Sequence, residues 1–233
     1  MFELKIKEDG VMIGAWLNGG KRNVVLAPGI PQYLDKYHPF VKQIAGLGYN
    51  LFVPRYRGTY ESDDPFSTMN SKESLEIALK IAKRGSAIEL FENKKVVWDT
   101  ERTVLVGFSY GALPALLQQE EVDKTVLVCP AVSLRYHTPE SGGENIAETF
   151  NFLERAYQNV YRFKAVDVIA DLTNIALPER KDNLSIVVGR ADSSIPSEEI
   201  GLLKSMYHPQ CFEKEGGHSI IMTDDLLQKV LEA

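Results

Sequence analysis

Apolar and polar residues alternate with period two at Phe2, Leu4 and Ile6, and again at Val11, Ile13, Ala15 and Leu17, with Asp9-Gly10 between the two runs. Alternation broken by Asp-Gly predicts an antiparallel hairpin. The pattern then changes: NVVLAPG (23–29) is a continuous apolar run closed by Pro-Gly, as expected of a strand buried on both faces. Phe40, Val41, Ile44, Ala45 and Leu47 recur at helical spacing before Gly48, which predicts a helix over 37–47, and NLFVPRYRG (50–58) predicts the next strand. From Ser71 onward, Leu75, Ala78, Leu79, Ala82, Ile88, Leu90 and Phe91 read as one long helix. Gly85 either interrupts it or is tolerated at a cost of about 1 kcal/mol relative to alanine.

RTVLVGFS, ALPALLQQE and KTVLVCPA continue as strand, helix and strand, an alternation that predicts a mostly parallel sheet with helices on both faces. Residues 132–180 break the rhythm with the loop RYHTPESGGEN, followed by helical spacing from Ile146 through Phe150, Leu153, Ala156, Tyr157 and Tyr161. The segment is too long for an ordinary connection and is expected to be an inserted helical cap or lid. LSIVVGRAD resumes the strand pattern, Pro196 can open a helix, QCFEKE reads as a short last strand, and DLLQKVLEA as a closing amphipathic helix. A chain of 233 residues can fill one sizeable core, so residues 1–233 are expected to form a single domain containing the cap.

Composition adds exclusions. A hydrophobic fraction of 44% and a charged fraction of 25% are those of a globular protein. The net charge of -6 opposes attraction to a nucleic-acid backbone. No run approaches the ~20 apolar residues that span a bilayer, and MFELKIKEDG lacks the apolar core of a signal peptide. The expectation is a cytoplasmic protein with neither nucleic-acid nor membrane partners. Cys129 and Cys211 lie in segments that read as strands and are expected to be small buried hydrophobes, not a disulfide. Neither has metal-ligand spacing, so no metal is expected.

The chemistry concentrates at Gly107-Phe108-Ser109-Tyr110-Gly111, between the apolar run TVLV and an apolar helical pattern. Gly-x-Ser-x-Gly in a strand-turn-helix context is a nucleophile elbow, in which small flanks permit the tight turn that lifts the serine hydroxyl off the sheet. VVGRAD ends a strand at Asp192, and EGGHS places His218 in a glycine-flanked loop before the last helix. The order Ser, acid, His completes a triad with Ser109 as nucleophile, His218 as general base and Asp192 as its orienting acid. Asp167, Asp171 and Asp182 compete for the acid. Asp182 precedes LSIVV and falls at the wrong end of that strand, leaving Asp171 as second choice.

With these features in place, the chain resembles the α/β-hydrolase superfamily of serine hydrolases over essentially its whole length. Pro54-Arg55-Tyr56-Arg57-Gly58-Thr59 looks like the Tyr-Arg-Gly-Ser stretch of the prolyl oligopeptidase and acylaminoacyl-peptidase catalytic domains, and the similarity extends to small esterases of the dienelactone-hydrolase type. The resemblance implies an α/β-hydrolase fold, no cofactor, and a small-molecule ester as substrate, because the peptidases carry a propeller domain for which this chain has no room. Many relatives have His-Gly-Gly after the first central strand, where this sequence reads Ala27-Pro28-Gly29-Ile30-Pro31. Gly29 can turn the chain so that the Ile30 amide faces the serine, with the Tyr110 amide as second oxyanion donor; Pro31 has no amide hydrogen to offer. Arg57 either binds an acidic substrate group or serves as a structural donor. The aromatics Phe150, Phe152, Tyr157, Tyr161 and Phe163 either line an acyl pocket or pack the cap onto the body. The cap's apolar face either covers a pocket or meets a second copy in a homo-oligomer. An acyltransferase and a non-catalytic binding protein are the alternatives on the same fold.

Overall fold

A computed structural model of the chain describes residues 1–118, 122–137, 146–179, 181–220 and 222–232. The hairpin forms as its alternation dictates: β1 (Phe2–Glu8) and β2 (Val11–Leu17) pair antiparallel across Asp9 and Gly10, whose φ values of 48° and 77° suit a two-residue hairpin turn. The continuous apolar runs become the central strands β3 (Arg22–Ala27), β4 (Tyr49–Pro54), β7 (Arg102–Phe108), β8 (Lys124–Val128) and β9 (Leu184–Gly189), which are buried along most of their length. With β10 (Gln210–Lys214) they complete an eight-stranded sheet in the order β1-β2-β4-β3-β7-β8-β9-β10. It is parallel from β4 to β10 and antiparallel at β1-β2 and β2-β4.

Helices cover both faces. α1 (Pro39–Gly46) and α7 (Asp224–Glu232) bury Val41, Ile44, Leu227 and Val230 on one face. α2 (Thr68–Arg84), α3 (Ala112–Leu117), α4 (Ile146–Ala156), α5 (Ala165–Asn174) and α6 (Ser197–Tyr207) contribute to the apolar cluster on the other. α4 and α5 belong to the segment between β8 and β9, part of which, residues 138–145 and 180, lies outside the described residues. The helix expected over ALPALLQQE stops at Leu117, where Gln118 turns extended, and residues 119–120 lie outside the described ones.

Three further expectations need correction. The long helix stops at Arg84, because Gly85 takes the left-handed conformation (φ 73°) that closes a helix. Ile88 belongs to β5 (Ser86–Ile88), which pairs with β6 (Lys95–Val97) in a small hairpin, and Leu90 and Phe91 are exposed in its turn. α4 stops at Ala156, and Tyr161 bridges to Thr59 instead of continuing the helix. Cys129 is fully buried as expected, but Cys211 is exposed, since β10 is an edge strand with little covering it.

Candidate active site

Ser109 follows β7 directly and opens a single 3₁₀ turn, Ser109–Gly111, that leads into α3. Its φ is 52°, a left-handed conformation that costs a non-glycine residue roughly 1–2 kcal/mol and is held only by the surrounding packing. The packing is tight: a Cβ on Gly111 would stand 2.0 Å from the Ala27 carbonyl oxygen, and one on Gly107 2.6 Å from that of Gly111. Small residues on both sides of the serine are therefore required by the turn.

His218 lies between Ser109 and Asp192. Its Nε2 is 2.9 Å from Ser109 Oγ, and its Nδ1 is 3.1 Å from Asp192 Oδ2. The other carboxylate oxygen, Oδ1, accepts from the amides of Ser194 (2.9 Å) and Ile195 (3.3 Å), so the backbone fixes the carboxyl and leaves Oδ2 for the imidazole. A carboxylate at Nδ1 keeps the proton there and frees Nε2 to accept from the serine hydroxyl. The Asp192 side chain is 5% exposed and that of His218 27%, so the acid is enclosed and the imidazole reachable. The two loops approach closely because Gly189 faces Gly216 and Gly217, whose carbonyls would lie within 2.6 Å of a Cβ, and the Ala191 amide donates to the Gly216 oxygen.

The loop after β3 runs beside Ser109: a Cβ on Gly29 would lie 3.2 Å from Ser109 Cβ, and Ile30 lines the same cavity as Ser109 and Tyr110. The segment Pro54–Thr59 holds this loop from below. Tyr56 donates its hydroxyl to the Pro28 carbonyl (2.9 Å), and buried Arg55 donates to the Leu34 carbonyl (2.9 Å) while its guanidinium lies 3.8 Å over the Tyr33 ring. Arg57 turns away to Asp64 (2.5 Å) and Glu73 (3.8 Å) and does not line the cavity at Ser109. Tyr56 and Arg55, one and two residues earlier in the same motif, are the side chains that reach the loop after β3.

The cavity at Ser109 measures about 150 Å³, and its apolar walls come from Phe150, Leu153, Leu172 and Leu134 of the β8–β9 segment. Phe150 thus lines the same cavity as Ser109. Tyr157 instead packs its ring against Phe152 at 6.1 Å, with both side chains exposed outside the cavity. Asp171, on α5, is not hydrogen-bonded to His218, whose carboxylate partner is Asp192.

Two groupings carried no sequence signal. His137 Nε2 is 2.6 Å from Glu199 Oε2 with both side chains fully buried, and Glu199 Oε1 accepts from the amides of Val132 and Ser133. This pair ties the start of the β8–β9 segment to α6. Cys129, Asp192 and His218 also gather, with ligand atoms within 4.8 Å of one another, although their spacing in the chain gives no hint of it. Burial and the nearby Asp192 carboxyl push the Cys129 thiol up to about 12, so it stays protonated, while Asp192 and His218 are engaged with each other.

Neither a protein-family model nor a curated protein sequence matches the chain. Solved structures do. An esterase of Pyrococcus furiosus superposes with a TM-score of 0.65 at 17% identity, covering 99% of this chain and 89% of its own. An α/β hydrolase from a Penicillium species superposes at 0.64 with 15% identity, covering 99% and 96%. An esterase of Exiguobacterium antarcticum does so at 0.61 with 16% identity, covering 99% and 97%. The chain has the α/β-hydrolase fold, with the mostly parallel central sheet that its sequence pattern implies. No helix among the described residues is long and apolar enough to cross a membrane.

Proposed function

We propose that this chain is a serine hydrolase that cleaves a small carboxylic ester through an acyl-enzyme on Ser109. The reading is carried by one observation: an unbroken hydrogen-bonded line from Ser109 Oγ through both nitrogens of His218 to an Asp192 carboxyl anchored on two backbone amides. His218 removes the hydroxyl proton as Ser109 attacks the carbonyl carbon, and Asp192 stabilises the imidazolium. The amides of Ile30 and Tyr110 receive the oxyanion. The protonated Nε2 then donates to the departing oxygen as the C–O bond breaks, and the same imidazole activates the water that hydrolyses the acyl-enzyme. No step calls on a metal or an organic cofactor. The segment 132–180 acts as the cap of a single domain, with Phe150 in the roof over the acyl group. Thioesters and amides can pass through the same intermediate. We place the protein in the cytoplasm, acting on a small molecule.

The deciding experiment is hydrolysis of p-nitrophenyl esters from acetate upward by the wild type and by Ser109→Ala. The expected result is wild-type turnover reduced in the variant by about 10³-fold or more. Turnover that survives the substitution, or a wild type that neither hydrolyses an ester nor is labelled by a serine-directed phosphonate, overturns the reading in favour of a binding protein. Transfer of the acyl group to an added alcohol in preference to water marks an acyltransferase.

A further inference from the structure

We propose that Cys129, Asp192 and His218 form a site for a divalent cation of the zinc class, and that a cation held there switches the triad off. The effect on turnover rests on the serine hydrolase reading; the binding does not. Ser109 meets His218 at Nε2, whereas the cation meets the ring at its other nitrogen, Nδ1.

The three ligands come from three separate strand ends: Cys129 directly follows β8, Asp192 lies beyond β9 and His218 beyond β10. One ligand atom of each stands within 4.8 Å of the others, and the Cys129 thiol is in hydrogen-bonding contact with the Asp192 carboxyl. Thiolate, imidazole and carboxylate together are a donor set for zinc, which magnesium, a hard cation that prefers oxygen ligands, does not share. One thiolate and one carboxylate also balance the charge of a divalent ion. The movement required between two of the ligands is small. His218 Nδ1 and Asp192 Oδ2 are 3.1 Å apart, and two such ligands on a tetrahedral zinc, at bond lengths of about 2.0–2.1 Å, lie about 3.3 Å apart. The thiol has further to come, and Asp192 stays anchored through Oδ1 on the amides of Ser194 and Ile195.

A route to these ligands exists apart from the cavity at Ser109. Cys129 and Asp192 wall a cleft of about 520 Å³ beside α6, which shares only Ile195 with that cavity. Arg190, Lys204 and Glu213 also line it, with Arg190 paired to Glu213 (3.5 Å). The cleft therefore does not concentrate cations by its charge, and selection falls to the three ligands. Cys129 has no exposed surface, so the cation gains the thiol only by parting the carboxyl and the imidazole, which it does in taking the place of the proton between them.

The protons account for the loss of activity. With the cation on the Nδ1 lone pair, the proton that stood on Nδ1 is carried on Nε2, and the thiol gives its own to water, so one proton is released for each cation bound. A protonated Nε2 donates to Ser109 Oγ instead of accepting from it, and the hydroxyl has no base.

The test starts from Cys211→Ser, in which Cys129 is the one remaining cysteine, so a cadmium-thiolate charge-transfer band in the ultraviolet is assigned to it at once. Cd²⁺ should produce that band and raise the melting temperature, since a ligand of the folded state stabilises it. Zn²⁺ should inhibit hydrolysis of p-nitrophenyl acetate, reversibly with EDTA, and Mg²⁺ at the same concentration should not. Cys129→Ala in the same background should lose the band and require about tenfold more Zn²⁺ or above for half inhibition, at least the cost of losing an outer-shell partner of a metal. No band in the folded Cys211→Ser protein overturns the site. So does a band that comes with a lowered melting temperature, which marks a thiol captured from the unfolded chain. Equal inhibition of the Cys129→Ala protein puts the inhibitory cation on another imidazole nitrogen and overturns it as well. Should Cys129→Ala fail to fold, the band and melting temperature of its parent decide alone. The hydrolase reading is judged separately by Ser109-dependent turnover: a protein that gives the band without turnover keeps the cation site and loses both the reading and the switch, and turnover without the band does the reverse.

Discussion

At the scale of single residues, the loops around Ser109 are held by side chains that lie outside its cavity. Tyr56 is the clearest: its hydroxyl holds the Pro28 carbonyl and with it the turn that carries the Ile30 amide. Removing it with Tyr56→Phe deletes one hydrogen bond worth about 0.5–1.5 kcal/mol. If that energy serves to position the oxyanion donor, kcat falls by roughly threefold to tenfold while KM changes little. A lower melting temperature with unchanged kcat would show that the bond only holds the loop together. Lys181 offers a test of a different kind. Burial lowers its pKa from 10.5 to about 8, and its ammonium has the Gln118 carbonyl at 2.6 Å. Because the folded-state value lies below the unfolded one, the unfolded chain binds the proton more tightly, and the charged lysine destabilises the fold most fully below pH 8. Stability contributed by this group therefore rises as pH goes from about 8 to about 10.5. Tyr56, Tyr110 and Tyr161 oppose it near the top of that window, since burial raises all three and their unfolded forms ionise first. Denaturant melts of the wild type and Lys181→Met across this range separate the two effects. The difference between the proteins should shrink with rising pH, and a constant difference would contradict the burial of the charge.

At the scale of elements, the sequence was most readable where one physical signal dominated. The hairpin followed from alternation interrupted by Asp9-Gly10, the central strands from uninterrupted apolar runs, and the elbow from its two glycines. Reading failed where apolar spacing and burial parted company. Ile88, Leu90 and Phe91 continue the helical period of α2, yet all three are exposed, because the left-handed Gly85 turns the chain into the β5–β6 hairpin. Nothing local to His137 or Glu199 marks them either. Their pairing arises only when α6 is brought against the start of the β8–β9 segment, and a glutamate in the first turn of a helix ordinarily reads as a solvated residue complementing the dipole. Its burial makes it consequential. Glu199→Ala leaves His137 and the amides of Val132 and Ser133 without their acceptor, and each buried polar group left unsatisfied costs about 1–3 kcal/mol. Glu199→Gln keeps the shape and part of the bonding and should cost less. Because α4 and α5 wall the cavity at Ser109, the alanine variant is also expected to raise KM for esters with the bulkiest acyl groups. Equal melting temperatures for wild type and Glu199→Ala would show that the pair contributes nothing to docking the segment.

At the scale of the whole molecule, the arrangement concentrates chemistry at one edge. Ile30, Ser109, Cys129 and Asp192 all follow the carboxyl ends of parallel strands, where open α/β sheets place their ligands, and His218 enters from the loop after β10. The far flank of the sheet is β10, whose edge is occupied by charge: Arg190 pairs with Glu213 and Glu215, a feature that discourages edge-to-edge association. The two cysteines sit at these contrasting places and report on them separately. Cys211, exposed on β10, should react with a disulfide reagent in the native protein within the mixing time of a slow assay, and Cys211→Ser should abolish that fast phase. Cys129 has no exposed surface, and its thiol is held far from ionisation, so it should react only when the molecule opens. If the chain is one cooperative domain, the denaturant concentration that exposes Cys129 coincides with the midpoint for Trp16, which is buried on β2 away from the strand ends that carry Ser109 and Asp192. Reaction of Cys129 well below that midpoint would mean that the loops carrying Asp192 and His218 open while the hairpin side of the sheet stays folded. The site would then be the least stable part of the molecule, and hydrolysis should decay at the lower of the two transitions.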